Sequence, residues 1–126
     1  MDTLVSAEWL KQHIDDPDMV VLDCTVVTMP DEDDPRGISN VSGRPDYELG
    51  HIPNAGFAEL KGELCKTTGP VEFDLLSPEQ FCEVMGRLGV GDDSRVVLYD
   101  ASYTGWAARV WWMLRWVGFD QAAILD

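Results

Sequence analysis

The residues best placed to do chemistry sit where apolar runs end. In RVVLYDASYTGWAARVWWMLRWVGF, which begins at Arg95, a short apolar run delivers Asp100, the loop ASYTG follows, and a tryptophan-crowded helix begins. A strand-to-helix junction of this kind can aim backbone NH groups and a helix N-terminus at an anion, at the carboxyl end of a parallel strand where ligands bind. The residue standing there is itself a carboxylate. Asp100 or Ser102 can also simply cap the helix, because short polar side chains accept from its first free amides. A second apolar run, MVVLDC, ends in Asp23 and Cys24. A thiol at the end of a buried strand is usually a small hydrophobe, and an adjacent carboxylate raises its pKa, so Cys24 is a weak candidate nucleophile.

The remaining candidates read as structural. Cys65 lies in a loop and Cys82 off the apolar face of its helix. Arg109 and Arg115 stand among apolar residues, where a guanidinium needs a carboxylate or carbonyl partner, so both are predicted to be paired structural charges. His51 follows Gly50 in a bend and is expected to make a structural hydrogen bond. No Ser-His-Asp set, phosphate-binding loop or metal triad can be assembled, so neither cofactor nor metal is expected.

These positions depend on an alternation of helices and strands. Ser6 can cap a short helix, SAEWLKQHI, with Trp9, Leu10 and Ile14 on one side. Met19 to Cys24 form a strand buried on both faces. The polar stretch TVVTMPDEDDPRGISNVSGRPD, rich in Pro, Gly and acids, is predicted to be a surface loop. YELGHIPNAGFAEL offers a helical turn, a Pro-Asn bend and a brief strand, and KGELCKTTGPVEFDLL is an irregular connection. In SPEQFCEVMGRLGVG, Ser77 and Gln80 make a capping box, Pro78 suits the first helical turn and Gly89 can end the helix. Phe81, Val84, Met85 and Leu88 give that helix one apolar face. RVVLY and AAILD are further buried strands. Strands separated by helices argue for an α/β fold with a parallel sheet flanked by helices and right-handed crossovers.

Composition narrows the function classes. The chain has 126 residues, 45% hydrophobic and 25% charged, enough for one soluble domain with a core. Its formal net charge of -14, from 23 acids and 9 bases, repels phosphate backbones and anionic bilayers, so nucleic acid and membrane are not expected partners. Three cysteines without paired or zinc-ligand spacing fit a reducing compartment, and no basic-then-apolar leader or apolar span is present, which predicts a cytoplasmic location. From Gly105 to Val117 apolar groups lie around most of the helix circumference, which predicts cover on more than one side and possible self-association through this tryptophan-rich helix.

The order LDC, YELGHIPNA, SPEQFCEVMGRLGVGDDSRVVLYD, AARVWWMLRWVGF and ILD resembles the rhodanese-like sulfurtransferases over nearly the whole chain. GHIPNA and ARVWWMLRWVG are its most specific pieces. The YD strand ending and the double tryptophan look like the N-terminal half of two-domain thiosulfate and 3-mercaptopyruvate sulfurtransferases. In the catalytic half of such proteins a cysteine at this strand end opens a loop whose backbone NH groups cradle a persulfide, and the N-terminal half lacks it. The resemblance therefore implies that Asp100 occupies the catalytic-cysteine position and that Asp100, Ala101, Ser102, Tyr103, Thr104 and Gly105 form a degenerate active-site loop. It implies further that residues 1–126 are one rhodanese-like domain of a longer protein, whose partner is a second, active domain carrying the persulfide.

Two rival readings remain at this stage. A stand-alone, non-enzymatic binding module with the same fold carries the same residues. VVLYDASYTG also has the outline of the D-x-D-x-T motif of magnesium-dependent, aspartate-nucleophile phosphotransferases. There Ser102 replaces the second acid, and no later lysine and acid pair follows.

Overall fold

The computed structural model describes all 126 residues. Seven strands and four helices follow in the order β1 (Leu4–Val5), α1 (Ala7–His13), β2 (Met19–Asp23), β3 (Val26–Pro30), β4 (Ile38–Ser42), α2 (Arg44–Leu49), β5 (Gly56–Phe57), α3 (Pro78–Arg87), β6 (Arg95–Tyr99), α4 (Gly105–Trp116) and β7 (Ala122–Leu125). The main sheet has the order β1-β7-β6-β2-β5 and every pairing in it is parallel. Its centre is the longest register, Met19↔Arg95 through Asp23↔Tyr99, made by the two apolar runs that the sequence marks as buried. This is the α/β architecture that the alternation of elements predicts.

One expectation is corrected. The polar stretch from Thr25 to Asp46 is not a loop throughout: β3 and β4 pair antiparallel from Val26↔Ser42 to Pro30↔Ile38, and α2 already begins at Arg44. The ribbon hides its strand character because the alternation in VVTMP and ISNVS is mild and the acids of its turn dominate the composition. The two-residue β1 was also not foreseen. Its amides and carbonyls add an edge to β7, where Ile124 donates to the Thr3 carbonyl at 2.8 Å.

α3 begins as expected. Ser77 Oγ accepts from the Gln80 amide at 3.2 Å while Gln80 Oε1 accepts from the Ser77 amide at 3.2 Å, and Gly89 beyond the last turn has a φ of 95°. Phe81, Val84 and Met85 point into the larger of two cores, an 18-residue cluster between one sheet face and α3 and α4. The opposite face, under α1, gathers only six buried residues. α4 buries Ala107, Val110, Met113 and Leu114 against the sheet, and Trp111 Nε1 donates to the Ala122 carbonyl at 3.1 Å. Trp112 and Trp116 remain 48% and 39% exposed, their rings stacked at 6.3 Å and nearly coplanar in orientation at 4°.

Candidate active-site loop at the carboxyl edge of the sheet

β6 carries Asp100 to the carboxyl edge, and the loop folds back onto it. Asp100 Oδ1 accepts from the Ser102 amide at 2.9 Å and the Thr104 amide at 3.1 Å, and Oδ2 accepts from the Ala107 amide at 2.9 Å. Thr104, the residue before α4, has left-handed geometry with a φ of 70° and makes no side-chain cap of its own. A β-branched residue rarely adopts that conformation. The Asp100 carboxylate holds it there and caps the third residue of α4 from outside the helix. It is thus both helix cap and loop brace, and Ser102 contributes its amide rather than its hydroxyl. Both carboxylate oxygens face backbone donors.

A second chain of bonds ties β2 to the same loop. The amide and hydroxyl of Thr25 donate to Asp23 Oδ1 at 2.9 and 2.6 Å, and Thr25 Oγ1 accepts from the Ala101 amide at 3.0 Å. Asp23 and Thr25 are each 4% exposed, so these bonds satisfy polar groups that burial would otherwise leave costly. The Thr25 carbonyl in turn accepts from the Gly43 amide at 3.0 Å, and a Cβ on Gly43 would lie 2.3 Å from that carbonyl oxygen. Only glycine fits this approach.

Cys24, between Asp23 and Thr25, is fully buried, and its amide donates to the Tyr99 carbonyl at 2.7 Å. Burial pushes its thiol well above the ordinary range, and the Asp23 and Asp100 carboxylates push it further. It is a small hydrophobe of the larger core, and its thiol donates to the Leu22 carbonyl at 3.7 Å. Cys65 is also buried, its thiol raised by burial against the opposing pull of Arg109. Cys82 is exposed on α3. Arg109 does find the carbonyl partner expected of it, at Phe73, but Arg115 does not: it is exposed, without a carboxylate or carbonyl partner, 4.6 Å above the Trp111 ring near the end of α4, where water rather than an ion pair solvates its charge. His51 stacks on Tyr47 at 3.8 Å, and its Nδ1 is 2.7 Å from the Tyr47 carbonyl oxygen. No group of three or more His, Cys, Asp or Glu side chains is placed to hold a metal ion. No helix is long and apolar enough to cross a membrane.

Sequence reasoning missed a further polar group near this edge. Ser42 Oγ donates to Glu59 Oε2 at 2.7 Å and Arg44 Nε approaches the same oxygen at 3.5 Å, while Glu59 Oε1 is buried without a partner. Spacing offers no signal for it, since its members come from β4, α2 and the segment after β5.

The rhodanese-like domain profile matches residues 6–126. The 3-mercaptopyruvate sulfurtransferase of Escherichia coli K12 is 36% identical over 121 residues, which cover 96% of this chain and 40% of that protein. The thiosulfate sulfurtransferase of Cricetulus griseus is 33% identical, over 98% of this chain and 40% of its own length. The crystal structure of a 3-mercaptopyruvate sulfotransferase from Escherichia coli superposes with a TM-score of 0.81 at 34% identity, covering 100% of this chain and 45% of that one. The chain thus spans about 40% of the length of the curated relatives it matches. With the parallel sheet, the strand-loop-helix at Asp100 and the matched residues in agreement, the chain belongs to the rhodanese-like domain family.

Proposed function

We propose that this chain is a catalytically silent rhodanese-like domain, the N-terminal half of a cytoplasmic thiosulfate or 3-mercaptopyruvate sulfurtransferase, which supports a cysteine persulfide carried by a second domain. The observation that carries the reading is the Asp100 carboxylate inside its own loop. Sulfur transfer needs a thiolate that attacks a sulfane sulfur, and donors that stabilise the persulfide formed. Here the Ser102, Thr104 and Ala107 amides that would serve as donors already hold a carboxylate. A carboxylate cannot take up sulfane sulfur as a thiolate does, and its charge repels an anionic donor from the same place. Cys24 offers no substitute, because its thiol resists ionisation where it lies.

The domain's contribution is then a rigid wall and a docking face. Trp112 and Trp116 leave apolar area on α4. Burying the exposed half of a tryptophan's roughly 150–250 Å², at about 25 cal/mol per Å², favours association by about 2–3 kcal/mol per ring before entropy is counted. The second domain is the occupant that the family resemblance suggests, and the isolated chain is expected to self-associate through the same face. Sedimentation at micromolar concentration with acrylamide quenching tests this: a strict monomer with shielded tryptophans contradicts it.

Activity is tested by incubating the purified chain with thiosulfate or 3-mercaptopyruvate and cyanide. No turnover is expected from the wild type, nor from Asp100→Cys alone, because ASYTGW presents no basic side chain and Trp106 crowds the loop. Turnover abolished by Cys24→Ser contradicts the reading.

A further inference from the structure

Positive charge is scarce in this chain, with nine lysines and arginines against 23 acids. Three of the nine, Arg36, Lys61 and Lys66, nonetheless line one cavity of about 540 Å³, together with Thr67 and Thr68. The segment bounding it is closed by a bridge between Cys65 and Leu75 and by the Lys66 amide donating to the Asp74 carbonyl at 2.8 Å. Carboxylates already sit beside these cations: Asp34 accepts from Arg36 Nε and Nη2 at 3.0 Å each, leaving Nη1 to face the cavity, where Glu72 lies. Glu72 Oε1 accepts from Arg36 Nη1 at 3.3 Å and from Asn40 Nδ2 at 2.5 Å, and Glu72 Oε2 accepts from Lys61 Nζ at 3.3 Å. The three donors come from the turn between β3 and β4, from β4 itself, and from the connection after β5. Together they hold the Glu72 carboxyl below the usual carboxylate range, the Asn40 bond first among them.

Donors gathered from three separate segments onto one carboxylate make a receptor for an oxyanion. Lys66 adds a cation whose contact with Asp74 is loose at 3.6 Å, and the hydroxyls of Thr67 and Thr68 can rotate to donate. Glu72 is part of a surface segment, its side chain 32% exposed, so it can leave the donors without disturbing the core. We propose that this cavity binds a small molecule with a carboxylate or sulfur-oxyanion head group, which takes the place of the Glu72 carboxylate between Arg36, Asn40 and Lys61. None of the amides held by Asp100 belongs to this cavity, so the site stands or falls separately from the silent-loop reading.

The test is titration with acetate, sulfate and thiosulfate at constant ionic strength, following the backbone amides of residues 60–73 by NMR. Because Glu72 competes from within, the unaltered chain binds weakly, and its small shifts vanish in Arg36→Gln. Glu72→Gln keeps the shape and removes the charge, and is expected to bind about tenfold or more tightly, which corresponds to about 1.4 kcal/mol. Adding Lys61→Gln to Glu72→Gln abolishes the gain. Tighter saturation by acetate assigns the carboxylate class, and tighter saturation by sulfate and thiosulfate assigns the sulfur oxyanions. Shifts that stay linear in a folded Glu72→Gln chain, or saturation that survives both Lys61→Gln and Arg36→Gln, overturn the proposal and leave Glu72 as a brace for its loop.

Discussion

β2 and β6 lie side by side in parallel register to Asp23↔Tyr99, yet the fold treats the residues that follow them in opposite ways. After β2 comes a thiol, buried, with two carboxylates nearby and itself donating to the Leu22 carbonyl at 3.7 Å. After β6 comes a carboxylate that gathers three backbone amides. A thiolate would be stable only where the donors are, and the donors are at β6. The cysteine this sheet edge retains stands one strand away from them. Reactivity at such an edge therefore depends less on owning a cysteine than on which residue the loop amides surround.

Four changes sharpen or break this comparison. The largest effect is expected from the floor that both ends share: Leu98, fully buried and in register with Leu22, supports both strand ends, and Leu98→Ala should cost about 2–5 kcal/mol in urea unfolding. Asp100→Ala should cost about 1–2 kcal/mol, as the cap of α4 and the support for Thr104 are lost together, and Asp100→Asn, which keeps one acceptor oxygen, should cost less. An Asp100→Ala chain as stable as the wild type would mean that the carboxylate braces nothing.

Thr25→Val comes next, at about 1 kcal/mol. It removes the hydroxyl through which Asp23 reaches the Ala101 amide, so it should loosen the β6 loop while leaving Cys24 buried. Faster hydrogen exchange at Ala101 and Ser102, with Cys24 still unreactive to iodoacetamide, is the expected pattern. The smallest effect is a drift with pH. Cys24 and Tyr99 both have raised folded values, Tyr99 to about 12 through burial. Above their unfolded values of about 8.5 and 10 the unfolded chain releases protons that the folded chain keeps. Stability is therefore full below about pH 8.5 and declines as pH rises towards the folded values. Urea midpoints at pH 7 and pH 10 should show the fall, and it should shrink in Cys24→Ser.

Much of this was legible in the sequence for local reasons. The capping box of Ser77 and Gln80, the apolar runs of β2 and β6 and the stop at Gly89 each depend on residues within a few positions of one another. A cap at this junction was also readable, because short polar side chains accept from a helix's first amides, but the sequence left Asp100 and Ser102 as alternatives for it. Which amides Asp100 would take was not readable, since Ala107 lies a full loop and turn away. Long-range polar pairs left no trace in the pattern: Thr25 meets Ala101 across 76 positions, and Ser42 meets Glu59 across 17. The β3–β4 ribbon was missed for a different reason. Its stability comes from pairing, and its acidic turn outweighs the weak alternation of its strands.

The proposal that Asp100 keeps sulfur out of the loop is tested most directly by intact-protein mass spectrometry of the folded chain after exposure to thiosulfate, followed by cyanide. The expected result is no sulfur adduct on Cys24 or Cys65 and no thiocyanate above the buffer level. A single sulfur on Cys24 that cyanide removes, with thiocyanate released in step and both lost in Cys24→Ser, would contradict it.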